Sequence, residues 1–183
     1  DTIPNKIDVD IAVRGELIMP IDVFTQKYSK EYANPRNMVA GRIGGKKIRE
    51  GISDIKFIAY EIVGDGIMDK PSTQLKYLHK LGFSTVKNEI VDTITTEKLI
   101  ETFLRFKIGN MFEIDGIIVQ PDKNYERNTT GNPDYAFAFK MRLKDNIVET
   151  SVVDVIWNVS KWGQLKPRIK IKPVKLGGVE ITY

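Results

Sequence analysis

A change of texture near residue 144 constrains this chain more than any other feature. Before it, strand-like and helix-like stretches alternate; after it, closely spaced strand-like stretches follow one another with few helix signals. The first pattern predicts an α+β layer structure, mostly antiparallel sheet flanked by helices, and the second the opening of a small β-barrel. The boundary falls within 144–150 and is drawn between residues 1–146 and 147–183.

Alternating apolar residues Ile7, Val9, Ile11 and Val13 predict a half-buried strand that continues to Met19. Pro20 suits the opening of a helix, in which Ile21, Phe24 and Tyr28 fall at helical spacing. Asn34-Pro35-Arg36-Asn37 reads as a turn before a short helix from Met38 to about Ile43, broken by Gly44-Gly45. A central strand is expected over 55–63, a loop over 64–70, and a helix over 71–81 that closes before Gly82. Then come a strand over 83–90, a helix over 95–106, and strands over 116–119 and 135–141. The polar connection 121–133 between the last two is expected to be mobile. Beyond the boundary, strands are expected over 147–159, 166–174 and 178–182, with Trp157 and Trp162 in the barrel portion and turns at Trp162-Gly163 and Leu176-Gly177-Gly178.

Composition removes several chemistries. The 183 residues contain no cysteine, which excludes disulfide scaffolds, thiolate zinc sites and cysteine nucleophiles. The single histidine, His79, excludes a histidine-pair metal centre and reads as a surface residue. Twenty-eight Lys and Arg against 24 Asp and Glu give a net charge of +4, a mild bias compatible with a polyanionic partner. No apolar run reaches the ~18 residues of a membrane span, and no signal peptide opens the chain, so an intracellular protein is expected. Both ends lie in strand-like sequence and the first residue is Asp1, which reads as a piece of a longer protein.

Four clusters could carry chemistry. In Val13-Arg14-Gly15-Glu16-Leu17, Glu16 is either a solvated strand-edge charge or an acceptor for a ligand hydroxyl or metal-bound water, with Gly15 allowing close approach. In the segment from Ala33 to Gly41, Pro35 at a helix start and Arg36 beside it could form an anion site; taken alone, a turn and a surface cation explain them better. Glu113-Ile114-Asp115-Gly116-Ile117-Ile118-Val119-Gln120 is an acidic turn feeding an apolar strand. In Ala136-Phe137-Ala138-Phe139-Lys140, period two sets Lys140 with the alanines and opposite the phenylalanines, where it either suits a phosphate or carboxylate or simply ends a surface strand. Tyr60 is a core or rim aromatic, or a platform for a base.

In this order the clusters are more specific than any one alone. Val-Arg-Gly-Glu, Ala-Asn-Pro-Arg-Asn-x-x-Ala-Gly, Phe-x-x-Tyr, Ile-Asp-Gly-Ile-Ile-Val and Ala-Phe-Lys together resemble the adenylation domain of NAD⁺-dependent DNA ligases. Val159-Ser160-Lys161-Trp162-Gly163-Gln164-Leu165-Lys166-Pro167 and the later Lys172-Pro173-Val174 resemble the start of that family's OB-fold domain. The resemblance implies a nucleotidyltransferase (ATP-grasp-like ligase adenylation) fold over 1–146 and a partial OB barrel over 147–183. It further implies sealing of nicked double-stranded DNA by a monomer, with NAD⁺ as AMP donor and Mg²⁺ in the full-length enzyme, in DNA replication and repair. In that family a lysine takes AMP from NAD⁺ and releases nicotinamide mononucleotide. The AMP then passes to a 5′-phosphate at a nick, and a 3′-hydroxyl displaces it. Carried onto this chain, Glu16 would sit by the ribose, Tyr60 would stack on adenine and Lys140 would neutralise charge at the α-phosphate. Asp115 would orient neighbouring cations, Arg36 would contact phosphate of the adenylate or the nick, and Gln120 would lie in the same nucleotide site. No residue is assigned as a metal ligand.

The chain departs from the family pattern in places. Its Asp-Gly pairs, Asp65-Gly66 and Asp115-Gly116, are preceded two places earlier by Val63 and Glu113, so the nucleophile's Lys-x-Asp-Gly is not among these residues. Gln120 stands where the family ends Asp-Gly-x-x-x-Lys in lysine, an amide without the ammonium's charge. Gly44 replaces a second arginine, with Lys46 and Lys47 nearby. Lys107 replaces a third arginine and keeps the charge without the planar fork. Asp134-Tyr135 stands where Arg-Trp is usual. A piece of a nick-sealing ligase unable to adenylate itself is therefore weighed against a non-catalytic nucleotide- or DNA-binding paralogue. A relative that transfers nucleotides to RNA ends is the third reading.

Overall fold

The computed structural model describes residues 2–45, 47, 49–64, 70–125, 131–141, 147–176 and 179–183. The fold contains both helices and antiparallel strand pairs, the latter forming four two-stranded sheets among the described residues. The chain divides into two compact units, Asp1–Met141 and Arg142–Tyr183.

In the first unit, β1 (Ala12–Ile18) pairs antiparallel with β2 (Lys56–Val63). The register runs regularly from Ala12 opposite Val63 to Arg14 opposite Glu61, then shifts so that Gly15 faces Ala59 and Tyr60 becomes the extra residue of a bulge. Between the strands lie α1 (Ile21–Lys27) and α2 (Pro35–Ile43). The second begins at Pro35 rather than at Met38, because Asn34 caps it: its side-chain oxygen accepts from Asn37 N at 2.8 Å, and Pro35 needs no donor partner at the first position. Met38 and Val39 of α2 meet Phe24 and Tyr28 of α1 and Met19 at the exit of β1, forming a first core cluster.

A second cluster lies between α3 and the β1–β2 sheet. Leu78 of α3 (Pro71–Lys80) packs with Ala59, Ile62 and Phe83, and Ile11, Val13 and Phe57 close around them. Leu78 is fully buried, which is worth about 1.5–3 kcal/mol for a side chain of this kind. Past the end of the helix, Gly82 N donates to His79 O at 3.0 Å and Phe83 N to Leu78 O at 3.1 Å. This is the paired-bond helix stop expected at Gly82, with Phe83 and Leu78 in apolar contact.

The strand expected over 83–90 is not formed. Thr85 alone bridges β2, parallel to Ala59, while Ala59 N donates to Ser84 O and Val86 N donates to Ala59 O. Further on, Glu89 turns away to helix α4 (Thr96–Lys107), accepting from the buried Thr102 hydroxyl at 2.5 Å and from Arg105. A carboxylate recruited by two donors on a helix draws the segment out of the sheet ladder. Phe103 anchors α4 in the interior. The remaining pair in this unit is β3 (Ile117–Val119) with β4 (Phe137–Phe139), shorter than the two strands expected there. The connection between them is held at both ends: Asp122 bonds to Ser72, and Tyr125 stacks on Tyr135 with ring centroids 4.0 Å apart. The mobility expected of it concerns also 126–130, which lie outside the described residues.

The second unit holds β5 (Val152–Val159) paired with β6 (Leu165–Ile171), and β7 (Val174–Leu176) paired with β8 (Val179–Ile181). The first strand starts later than the expected 147, and the expected 166–174 strand divides at 172–173 into β6 and β7. The turn between β5 and β6 is closed by Ser160 N donating to Gln164 O at 2.8 Å and Gly163 N to Ser160 O at 2.9 Å. Trp157 lies on β5 and Trp162 in this turn, both exposed. The Gly177-Gly178 turn and the expected boundary at 146/147 involve residues outside those described.

Candidate functional site

The first unit offers two groups of side chains of the kinds singled out from sequence. One lies on the face of β1 and β2 turned away from α3. Phe57 and Ala59 belong to the core cluster beneath α3, so alternation turns Ile58 and Tyr60 to the opposite face. Glu16 is the register partner of Ile58, and antiparallel partners project to the same side. Glu16 and Tyr60 therefore share that face, with Tyr60 at the bulge and 41% exposed.

Arg14 and Glu61 join them there as register partners, with Arg14 Nη1 3.0 Å from Glu61 Oε2. This ion pair is not legible in the sequence, since its two members are 47 residues apart and only the register brings them together. Gly15 permits the arrangement by size alone. A Cβ there would lie 2.5 Å from Ile58 O and 2.5 Å from the Phe57 ring, so no larger residue fits without moving backbone.

The second group is built on β3 and β4. Lys140 Nζ lies 2.7 Å from Asp115 Oδ2, although both side chains are largely exposed. Gly116 again sets the geometry: a Cβ would lie 2.6 Å from Phe139 O and 2.8 Å from Lys140 Cγ. The hydrogen bond from Lys140 holds the Asp115 carboxyl below the usual carboxylate range, and the positive charge of Arg36 acts in the same direction. The structure thus joins Asp115 and Lys140, and Arg36 contributes only a weak, longer-range attraction to the same carboxylate. Alternation along the short pair puts Ile118, Gln120, Ala138 and Lys140 on one face. That face is open, with Ile118 70% exposed.

Helix α2 packs on β1, and the charge of Arg36 in its first turn makes a minor contribution to lowering Asp115. The anion site considered at the start of α2 is narrowed, since Asn37 N is already taken by the Asn34 side chain. Chemically, the first group offers an exposed aromatic face and a carboxylate able to accept from hydroxyls, and the second an exposed ammonium of the kind that binds phosphate.

The positions that depart from the family pattern give a mixed picture. Gly44 caps the end of α2, and Lys47 is exposed. Lys46 lies outside the described residues. Lys107 closes α4 with its ammonium 5.7 Å from the Phe103 ring centroid. Among the described residues no three His, Cys, Asp or Glu side chains converge as a metal-binding group. No described helix is long and apolar enough to cross a membrane.

Residues 1–144 match the family model described as NAD-dependent DNA ligase adenylation domain. A DNA ligase of Acanthamoeba polyphaga mimivirus is 41% identical over 97% of this chain and 28% of its own length. A protein of Invertebrate iridescent virus 6 is 31% identical over 94% of this chain and 29% of its own length. A DNA ligase of Psychrobacter arcticus is 28% identical over 94% and 27%. The chain thus spans less than a third of the length of these relatives.

Proposed function

The chain belongs to the NAD-dependent DNA ligase adenylation-domain family, and on that premise we propose that its first unit holds the adenylyl group of NAD⁺ in an enzyme that seals nicks in duplex DNA. The observation that carries this reading is the 2.7 Å ion pair between Lys140 and Asp115, 25 residues apart in sequence, which holds an ammonium on the exposed face that Gln120 shares.

In this reading Tyr60 stacks on adenine and Glu16, on the same face, accepts from the ribose hydroxyls. Lys140 leaves Asp115 to meet the α-phosphate, whose growing charge a fixed ammonium stabilises. Asp115 holds that ammonium in place beforehand, and Arg36 takes a phosphate oxygen of the adenylate or the nick. Gln120 supplies an amide hydrogen bond where an ammonium would supply charge as well, so its contribution to phosphate binding is the smaller. NAD⁺ supplies the activated phosphoanhydride; this chain's residues bind, orient and neutralise. Magnesium is expected with the full-length enzyme, but the described residues form no cage for it, and no role is assigned to one.

The domain assignment proposed is a partial nucleotidyltransferase domain over 1–146 and the start of an OB fold over 147–183. Two antiparallel hairpins in the second unit support it. The whole enzyme is proposed to act as a monomer on nicked duplex within the cell. The chain itself carries no Lys-x-Asp-Gly, so the covalent step needs a lysine from a longer protein.

The test is to incubate that longer protein with NAD⁺ or ATP labelled in the adenylyl group and to look for covalent AMP by mass spectrometry. An adduct with NAD⁺ alone is expected, and none with the 183-residue chain. A longer protein that gains no AMP from either donor, yet binds nucleotide, would favour a non-catalytic paralogue. The substitution of Gln120 for lysine is the observation that keeps that alternative in view.

A further inference from the structure

Helix α3 begins without a local cap. Lys70 at the capping position makes no side-chain bond to the helix, and Pro71 has no N–H to offer. The first free amide, that of Ser72, donates instead to Asp122 Oδ1 at 2.9 Å, and the Ser72 hydroxyl donates to Asp122 Oδ2 at 2.7 Å. The Lys70 ammonium stands 3.5 Å from the same oxygen. The cap that a neighbouring residue ordinarily provides comes here from 50 residues away.

Its position gives the arrangement meaning. Asp122 follows Gln120 by two residues, with Pro121 between them restricting the backbone. Two residues along α3 from Ser72, Gln74 Oε1 accepts from Ile62 N at 3.0 Å, and Ile62 lies two residues beyond Tyr60 on β2. The first turn of α3 thus holds the end of β3 with one side-chain interaction and β2 with another, each two residues from a proposed nucleotide-site residue. Leu75 and Leu78 of the same helix are buried, and α3 packs on β2.

We propose that the Asp122–Ser72 contact is a positioning clasp that fixes the β3–β4 hairpin relative to the β1–β2 sheet and so sets the separation between Tyr60 and the Gln120–Lys140 face. Its importance for nucleotide binding rests on the function proposed for the first unit; its effect on the hairpin's position does not. A strand pair of three residues a side has little stability of its own, so an external tie decides where it sits. The backbone amide and hydroxyl of Ser72 also hold the Asp122 carboxyl below its usual range, in keeping with a contact closed at neutral pH.

The absence of cysteine from the chain allows a direct test. Leu17→Cys on β1 and Phe137→Cys on β4, both exposed positions, carry spin labels for pulsed electron-spin distance measurements. Asp122→Ala and the milder Ser72→Ala are compared with Asp122→Glu in that background. The clasp predicts one narrow distance distribution in the parent and at least a twofold broader one in Asp122→Ala. Ser72→Ala should fall between them, and Asp122→Glu should recover much of the narrowing. AMP affinity, measured by calorimetry on the same chains without labels, should weaken about fivefold in Asp122→Ala and recover with Asp122→Glu. Unchanged distributions in both alanine variants would overturn the clasp. Broadening in a chain that binds no AMP would uphold the clasp and count against the nucleotide-site reading alone.

Discussion

Lys140 and Asp115 form an ion pair across 25 residues of sequence, with Nζ 2.7 Å from Oδ2. The same carboxylate that orients the lysine also competes with phosphate for it. Lys140→Ala should therefore weaken AMP binding by about tenfold, the loss of one charge-assisted hydrogen bond at the lower end of its usual worth. Asp115→Asn should leave AMP binding unchanged or strengthen it a few-fold, because the ammonium is released from its competitor. Isothermal calorimetry on the two variants checks both directions.

Gln120→Lys restores a cation on the face that Lys140 already occupies. The side chain is exposed, so stability should move by less than about 0.5 kcal/mol. Affinity for AMP should rise, and its dependence on salt should steepen, since exposed charges are screened. Titrations at two ionic strengths separate this effect from any change in packing.

Gly15→Ala and Gly116→Ala each introduce a Cβ within 2.6 Å of a carbonyl oxygen, Ile58 O in one case and Phe139 O in the other. Relief requires strand movement, which should cost about 1–3 kcal/mol. Denaturant midpoints report the loss. The Gly116 variant should also release Asp115, raising its carboxyl toward the usual value in a carbon-13 NMR titration.

Much of the fold is legible in the sequence because its signals are local. Pro20 marks a helix start and Gly82 a helix stop, whereas the alternation over Ile7, Val9 and Ile11 only leads up to the strand, which begins at Ala12. What cannot be read depends on contacts between side chains that the pattern does not pair. The helix from Pro35 gains its first turn from the Asn34 side chain, and residues 83–90 lose their strand to the pull of Thr102 and Arg105 on Glu89. The placing of Glu16 with Tyr60 on one face requires the bulge at Arg14 and Gly15, which no single-strand pattern encodes. Asp122 carries no signal at all, since a carboxylate after Pro121 reads as an ordinary loop residue.

The pH profile of stability follows from Asp54, Glu89, Asp122 and Tyr28. Lys27 and Tyr28 hold the Asp54 carboxyl low, and Thr102 and Arg105 do the same for Glu89, as Ser72 does for Asp122. Each carboxylate contributes stability above its unfolded value of about 4, and that contribution is lost as pH falls through the lower folded value. Tyr28 behaves oppositely. Its hydrogen bond to Asp54 pushes the phenol up to about 12. Its contribution is complete below the unfolded value of about 10 and is lost as pH rises beyond that. Unfolding midpoints should therefore be flat between about pH 5 and 9 and fall on both sides. In Tyr28→Phe the alkaline fall should shrink while the acid limb, still set by Glu89 and Asp122, largely remains.

Leu78→Ala removes a fully buried side chain at the junction of α3 and β2. A loss of about 2–5 kcal/mol is expected for such a cavity. Urea unfolding, with the slope unchanged, is the measurement.

Whether Glu16, Tyr60 and Lys140 contact one bound adenylate can be decided by titrating AMP into the isotopically labelled chain. NMR then follows these side chains together with Arg36. All of them should respond along one binding curve with a common dissociation constant. Shifts at Lys140 without any at Tyr60 and Glu16, or curves with different midpoints, would contradict a single shared site.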